Sequence, residues 1–159
     1  MINLLSRTIM MGTPLLFGAI AEVIAERTGM MVTAIEGIFL MGAWAGFVGS
    51  YLSGSLAMGF LFAILTGIVV AALYGWICIY LKQHQVVTGT AINILAVGLC
   101  AFLYRVIFGV PITPLTINPL AIIPIPLLSE IPLIGKIFFS QNILTYIIYI
   151  LAPLSYFML

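Results

Sequence analysis

The sequence predicts an all-α integral membrane protein: a polytopic bundle of about five transmembrane helices, with a proline-rich loop before the last. Three observations predict it. Of 159 residues, 64% are hydrophobic and only 6% charged, whereas a soluble domain carries roughly 25% charged residues. The stretch from Gly37 to Leu81 has no charge at all, and about 20 apolar residues suffice to cross a bilayer. Six of the eight prolines fall between residues 110 and 136, a density that forbids long regular helix there.

The first apolar run, Thr8 to Ala25, is short and contains Pro14. It reads as a full span or a broken one, since proline in a membrane helix marks a kink. The second helix is expected over about Ala34 to Ser50 and the third over about Leu56 to Leu81, with Gly49-Ser-Tyr-Leu-Ser-Gly-Ser55 as the turn. The second carries Gly42 and Gly46 as a GxxxG pair. The third carries Gly59, Ala63, Gly67, Ala71 and Gly75, one small residue every four. In lipid, such spacing lets helix backbones approach closely, so these seven residues are read as helix-packing positions, and Gly67→Leu is expected to block that packing. A fourth helix is expected from about Thr90 to Phe108, stopped by Gly109 and Pro111. Asn93 is its one amide, either interhelical glue or part of a polar path. Residues 110–136 stay apolar despite their prolines and read as a structured loop, with a short helix near Ser129 or Pro132. Ile137 to Leu159 is the fifth span.

Charge is concentrated at one place. Glu22, Glu26, Arg27 and Glu36 are four of nine charged residues, and they bracket the break between the first two helices. The break is either a solvated loop or a polar joint around which helices pack. Thr28-Gly29 offers a helix stop, and Thr33-Ala-Ile-Glu36 is a capping-box pattern that restarts helix near Ala34. Glu26, Arg27, Glu36 and Asn93 are the candidate residues of a polar joint or substrate path. Lys82 and His84 place their turn on the cytoplasmic side by the positive-inside rule, which puts the joint inside and the proline-rich loop outside.

Several chemistries are excluded. The chain has no Asp, so an Asp-dyad intramembrane protease is ruled out, and no Gly-rich Walker segment exists for ATP hydrolysis. No His/Cys/Glu group has metal-ligand spacing. Cys78 and Cys100 lie in apolar runs and read as small buried residues. No catalytic residue, cofactor, metal or nucleic-acid partner is expected, and membrane lipid is the surrounding medium.

Some stretches carry a resemblance. Thr13-Pro-Leu-Leu-Phe-Gly-Ala-Ile, Glu26-Arg-Thr-Gly29 and Ile35-Glu36-Gly37-Ile-Phe-Leu-Met-Gly-Ala43 begin it. Gln85-Val-Val-Thr-Gly-Thr-Ala-Ile-Asn93-Ile-Leu-Ala, Phe102-Leu-Tyr-Arg105 and Ile131-Pro-Leu-Ile-Gly135-Lys-Ile-Phe-Phe continue it in order. Together they resemble permease subunits of ABC importers, in the branched-chain amino-acid, ribose and nucleoside permease family, and above all its simple-sugar or nucleoside branch. Two departures stand out. Val32-Thr33-Ala34 occupies the place of the family's Asn-(Ile/Leu)-Gly. The chain is also about half as long, stopping where an Arg-rich cytoplasmic coupling loop is expected.

The resemblance implies a single permease domain, residues 1–159, corresponding to the N-terminal part of the family. It implies a multi-pass protein of the bacterial plasma membrane that forms part of a path for a simple sugar or nucleoside. Its partners would be a second permease subunit, ATP-binding subunits that carry the hydrolysis, and an extracytoplasmic substrate-binding protein. The alternative is a truncated or regulatory membrane fragment without transport activity of its own.

Overall fold

The computed structural model describes residues 2–110, 115–117, 120–124 and 140–158. In chain order these form α1 (Ile2–Arg27), α2 (Ile35–Ser53), α3 (Leu56–Gly75) with a π turn (Trp76–Tyr80), and α4 (Gln85–Phe108). Strands β1 (Ile122–Pro124) and β2 (Ser140–Asn142) and helix α5 (Ile143–Met158) complete the order. Among the described residues four helices are long and apolar enough to cross a membrane, and α5 is a shorter apolar helix. The chain divides into two compact units, residues 1–28 with 119–159, and residues 29–118.

In the first unit α1 runs unbroken through Pro14. Thr13, just before the proline, donates its hydroxyl to Ile9 O at 2.9 Å, the kind of side-chain bond that supports a membrane helix beside proline. The same hydroxyl lies 3.1 Å from Thr145 Oγ1 of α5. Gln141, wholly buried, donates from Nε2 to Ser6 O at 3.3 Å and Ser6 Oγ at 3.0 Å. These polar contacts fix α5 against α1, beside the buried Ile148. β1 and β2 pair antiparallel, with Ile122 opposite Asn142 and Pro124 opposite Ser140. β1 lies within the proline-rich loop, where proline bars long regular helix, and β2 lies after it, just before α5. Because Ser140–Asn142 is strand, the last helix starts at Ile143, not Ile137. The short helix expected near Ser129 or Pro132 lies outside the described residues.

The second unit is built on α2, which packs antiparallel to α3 and parallel to α4. Close approach to α3 rests on small residues. A Cβ added to Gly59 would stand 1.8 Å from Ser50 Oγ and 2.8 Å from Gly46 O. One added to Gly46 would meet Ala63 Cβ at 3.3 Å, and one on Gly42 would meet Ala63 O at 3.6 Å. Gly49 is closer than Gly46 but less crowded than Gly59, with Phe62 Cβ at 3.0 Å from an added Cβ. Gly49 and Ser50 are buried in the packing. The expected turn there is therefore helix, and α2 continues to Ser53, where Gly54 at φ 67° takes the left-handed cap and donates to Ser50 O at 2.9 Å.

The far half of the α3 stripe does different work. An added Cβ at Gly67 would meet only Ile38 Cγ2 at 4.0 Å, and one at Gly75 would meet nothing within 4 Å. Ala71 is exposed. The tightest helix–helix contacts therefore lie at Gly46, Gly49 and Gly59, whereas a methyl group at Gly67 finds only ordinary contact; the larger side chain of Gly67→Leu is the substitution that tests packing there. Elsewhere on α3 and α4, Ile64, Ile68, Val69, Ile94 and Leu95 are exposed, as suits side chains whose surroundings are lipid tails.

α2 and α4 meet along their length. The Cys100 thiol donates to Leu40 O at 3.8 Å and lies 3.4 Å from Met41 Sδ. At the far end Phe47, Tyr51, Tyr104 and Phe108 form an aromatic cluster with ring centroids 5.2–6.0 Å apart. α4 ends as expected, with Gly109 at φ 67° donating to Arg105 O at 2.9 Å.

Candidate functional site

α1 stops where Thr28 folds back, its N–H and hydroxyl both bonded to Ala25 O at 2.9 and 2.7 Å. Gly29 then takes φ 83°, a conformation that costs glycine little. Glu26 and Arg27 are exposed at the end of α1. They belong to the first unit, whereas the segment from Gly29 onward belongs to the second.

That segment, Met30 to Ala34, is non-helical and apolar on one side. Ala34 is 0% exposed and sits in a cluster with Val70, Tyr74, Cys78 and Ile92, onto which Met30 and Val32 pack. A non-helical backbone at this position must find partners for its N–H and C=O groups. Three side chains from α3 and α4 supply them. Tyr74 donates its hydroxyl to Met31 O at 2.5 Å. Gln85 accepts Met31 N–H on Oε1 at 2.9 Å and takes the Thr33 hydroxyl on its backbone carbonyl at 3.0 Å. Asn93 donates from Nδ2 to Thr33 O at 3.0 Å and accepts Gly37 N–H on Oδ1 at 2.8 Å.

The last bond is a helix cap delivered from another helix. Gly37 lies in the first turn of α2, where N–H groups have no partner within the helix. Ala34, at the N-cap, has no side chain to offer, and no side-chain cap is formed. The expected capping box is therefore absent: the Thr33 hydroxyl is turned to Gln85 O, and Glu36 is exposed. Asn93 Oδ1 takes the acceptor position that a local Ser or Asp would fill. Its two partners, one donor and one acceptor, also fix which way the amide faces.

Gly37 and Gly89 make the approach possible. A Cβ at Gly37 would lie 2.8 Å from Asn93 Oδ1, and one at Gly89 would lie 1.9 Å from Thr33 Oγ1 and 2.8 Å from Thr33 C. Of the four candidate polar residues, the structure thus builds Asn93 into a joint, with Glu36 at its edge. Tyr74, Thr33, Gln85 and Gly89 complete it. Gln85, Gly89 and Asn93 are four apart on α4 and share one face, a signal that was present in the sequence. Replacing Asn93 by leucine strands Gly37 N–H and Thr33 C=O, so we expect a loss of about 1–2 kcal/mol. Thermal unfolding of the detergent-solubilised chain measures it, and an unchanged midpoint contradicts the cap.

Apolar spans joined by an uncharged hydrogen-bonded clasp define a multi-pass membrane protein. Among the described residues no group of three or more His, Cys, Asp or Glu side chains could hold a metal. Comparison with known sequences gives the particular family. The chain belongs to the family described as the permease component of branched-chain amino acid transport systems, which matches residues 4–158. It is 32% identical over 161 residues to a putative glucose ABC transporter permease of Haloferax volcanii, covering 99% of this chain and 47% of that protein. It is 33% identical to a guanosine ABC transporter permease of Bacillus subtilis, covering 96% of this chain and 50% of that one. A nucleoside ABC transporter permease of Lactococcus lactis is 33% identical over 92% of this chain and 48% of its own. The chain spans about half the length of the curated relatives it matches. No solved structure matches it significantly.

Proposed function

We propose that the chain is part of the permease of an ATP-driven importer and lines part of the path for a simple sugar or nucleoside. One observation carries the reading: three curated relatives, one named as a glucose permease and two as guanosine or nucleoside permeases, are aligned over 92–99% of this chain. On this reading the protein lies in a bacterial plasma membrane. It assembles with a second permease subunit, with ATP-binding subunits that carry the hydrolysis, and with an extracytoplasmic substrate-binding protein.

The clasp suits a path-lining role because it gives α2 a fixed starting point without placing a charge among the apolar helices. Glu26, Arg27 and Glu36 supply the charged groups at helix ends. Glu36 stands in the first turn of α2, where a carboxylate is favoured by the helix dipole. If Glu36 also serves the path, Glu36→Gln lowers uptake several-fold at unchanged membrane level, and unaltered uptake restricts Glu36 to the dipole. The reading itself is tested by uptake of radiolabelled guanosine and glucose in cells carrying the chain within its complete transporter. Accumulation that stops on ATP depletion is expected for one of the two solute classes. Uptake of neither above the background of cells lacking the chain overturns the proposal.

A further inference from the structure

Two uncommon backbone features lie side by side where α3 turns into α4. The π turn Trp76–Tyr80 ends α3, and Leu81 N–H reaches back five residues to Trp76 O at 3.3 Å. Such a turn accommodates an extra residue and persists where surrounding packing holds it. Next to it Lys82 has φ 52°, the left-handed region in which a Cβ is crowded. Only residues 81–84 separate the π turn from α4, so neither feature can relax without moving Cys78 or Gln85.

Both of those residues are fastened to the segment at the start of α2. Cys78 is 8% exposed and packed in the cluster with Ala34, Val70, Tyr74 and Ile92. Gln85 is held by Met31 N–H and the Thr33 hydroxyl, and Tyr74 bonds Met31 O one turn before Cys78. The opposite side of the turn is open: Trp76, Ile79, Tyr80 and Leu81 are all at least half exposed.

We infer that the α3–α4 turn is a conformational switch, held in its strained form by the Met31–Thr33 catch. When the catch releases Tyr74 and Gln85, the π turn rewinds to α-helix and Lys82 leaves the left-handed region. Losing one residue from a turn rotates the adjoining chain by about 100°, which carries Cys78 out of the apolar cluster toward the exposed side of the turn that bears Trp76 and Ile79. The inference stands on the second unit's geometry and not on the transport reading, and its test needs no transport.

The test uses the full chain in detergent with Cys100→Ala, which leaves Cys78 as the sole thiol. The readout is the rate of labelling by N-ethylmaleimide. Lys82→Gly removes the left-handed penalty from the closed form and disfavours the helical alternative, so Cys78 labelling slows by about fivefold or more. Lys82→Ala keeps the Cβ and leaves the rate unchanged. Tyr74→Phe fills the same space without the bond to Met31 and speeds labelling about fivefold. Equal rates for the glycine and alanine variants, or a wild-type rate for Tyr74→Phe, overturn the inference. A Cys78→Ala chain carrying only Cys100 should label at one rate with any of these substitutions. Parallel changes at Cys100 mean global unfolding and overturn it as well.

Discussion

Gly89→Ala is expected to lower the stability of the second unit by about 3 kcal/mol or more, the upper range for overpacking a close contact. The new methyl group would sit 1.9 Å from Thr33 Oγ1 and 2.8 Å from Thr33 C. A side-chain oxygen can swing aside, but the carbonyl carbon cannot move without its hydrogen bonds. Thr33 O is tied to Asn93 Nδ2, and the Thr33 hydroxyl to Gln85 O, so the clasp must open as a whole. Adding Thr33→Ala removes only the first clash, and partial rescue is therefore expected. Thermal unfolding in detergent, read by loss of monodisperse protein, checks both variants. A Gly89→Ala chain as stable as wild type would show that α4 does not lie against Thr33.

The second large effect is expected at Gly59. Alanine there meets Ser50 Oγ at 1.8 Å and Gly46 O at 2.8 Å, so α2 and α3 must separate. With backbone as well as side chain in the way, we expect a loss of about 2–3 kcal/mol. Gly67→Ala serves as the comparison, because its Cβ finds only ordinary contact at 4.0 Å from Ile38. It should be neutral, or slightly stabilising through helix propensity. Equal unfolding midpoints for the Gly59 and Gly67 variants would dissolve the distinction between the two halves of the stripe.

How much of the fold is legible in the sequence depends on the range of the interaction. Gly109 after Arg105 is a local stop signal, and α4 ends there. The apolar runs set four spans by length and hydropathy alone. Gly49 is ambiguous because glycine serves turns and close packing alike, and only the position of Phe62 decides that it packs. The capping box at Thr33 and Glu36 is a sound local pattern, yet a partner more than fifty residues away takes its place. Asn93 is visible as an amide in an apolar span, but its bonds to Thr33 O and Gly37 N–H depend on how α4 lies beside α2. Tyr74 is hidden within the α3 stripe, although a phenol among apolar residues must find a partner. The π turn leaves no mark in Trp76–Tyr80, since it arises from where Cys78 and Gln85 are held.

The central claim is that the break between α1 and α2 is a built joint and not a solvated loop. The exchange of the Gly37 amide against deuterium, monitored by NMR on a ¹⁵N-glycine-labelled chain, tests it most directly. A first-turn amide facing water exchanges freely, because no residue of its own helix accepts from it. Held by Asn93 Oδ1 at 2.8 Å, the Gly37 amide should instead exchange as slowly as that of Gly46 in the middle of α2, and lose that protection in Asn93→Leu. Fast exchange at Gly37 in the unmodified chain, with Gly46 protected, would mean that the joint is open to solvent and that the clasp does not form.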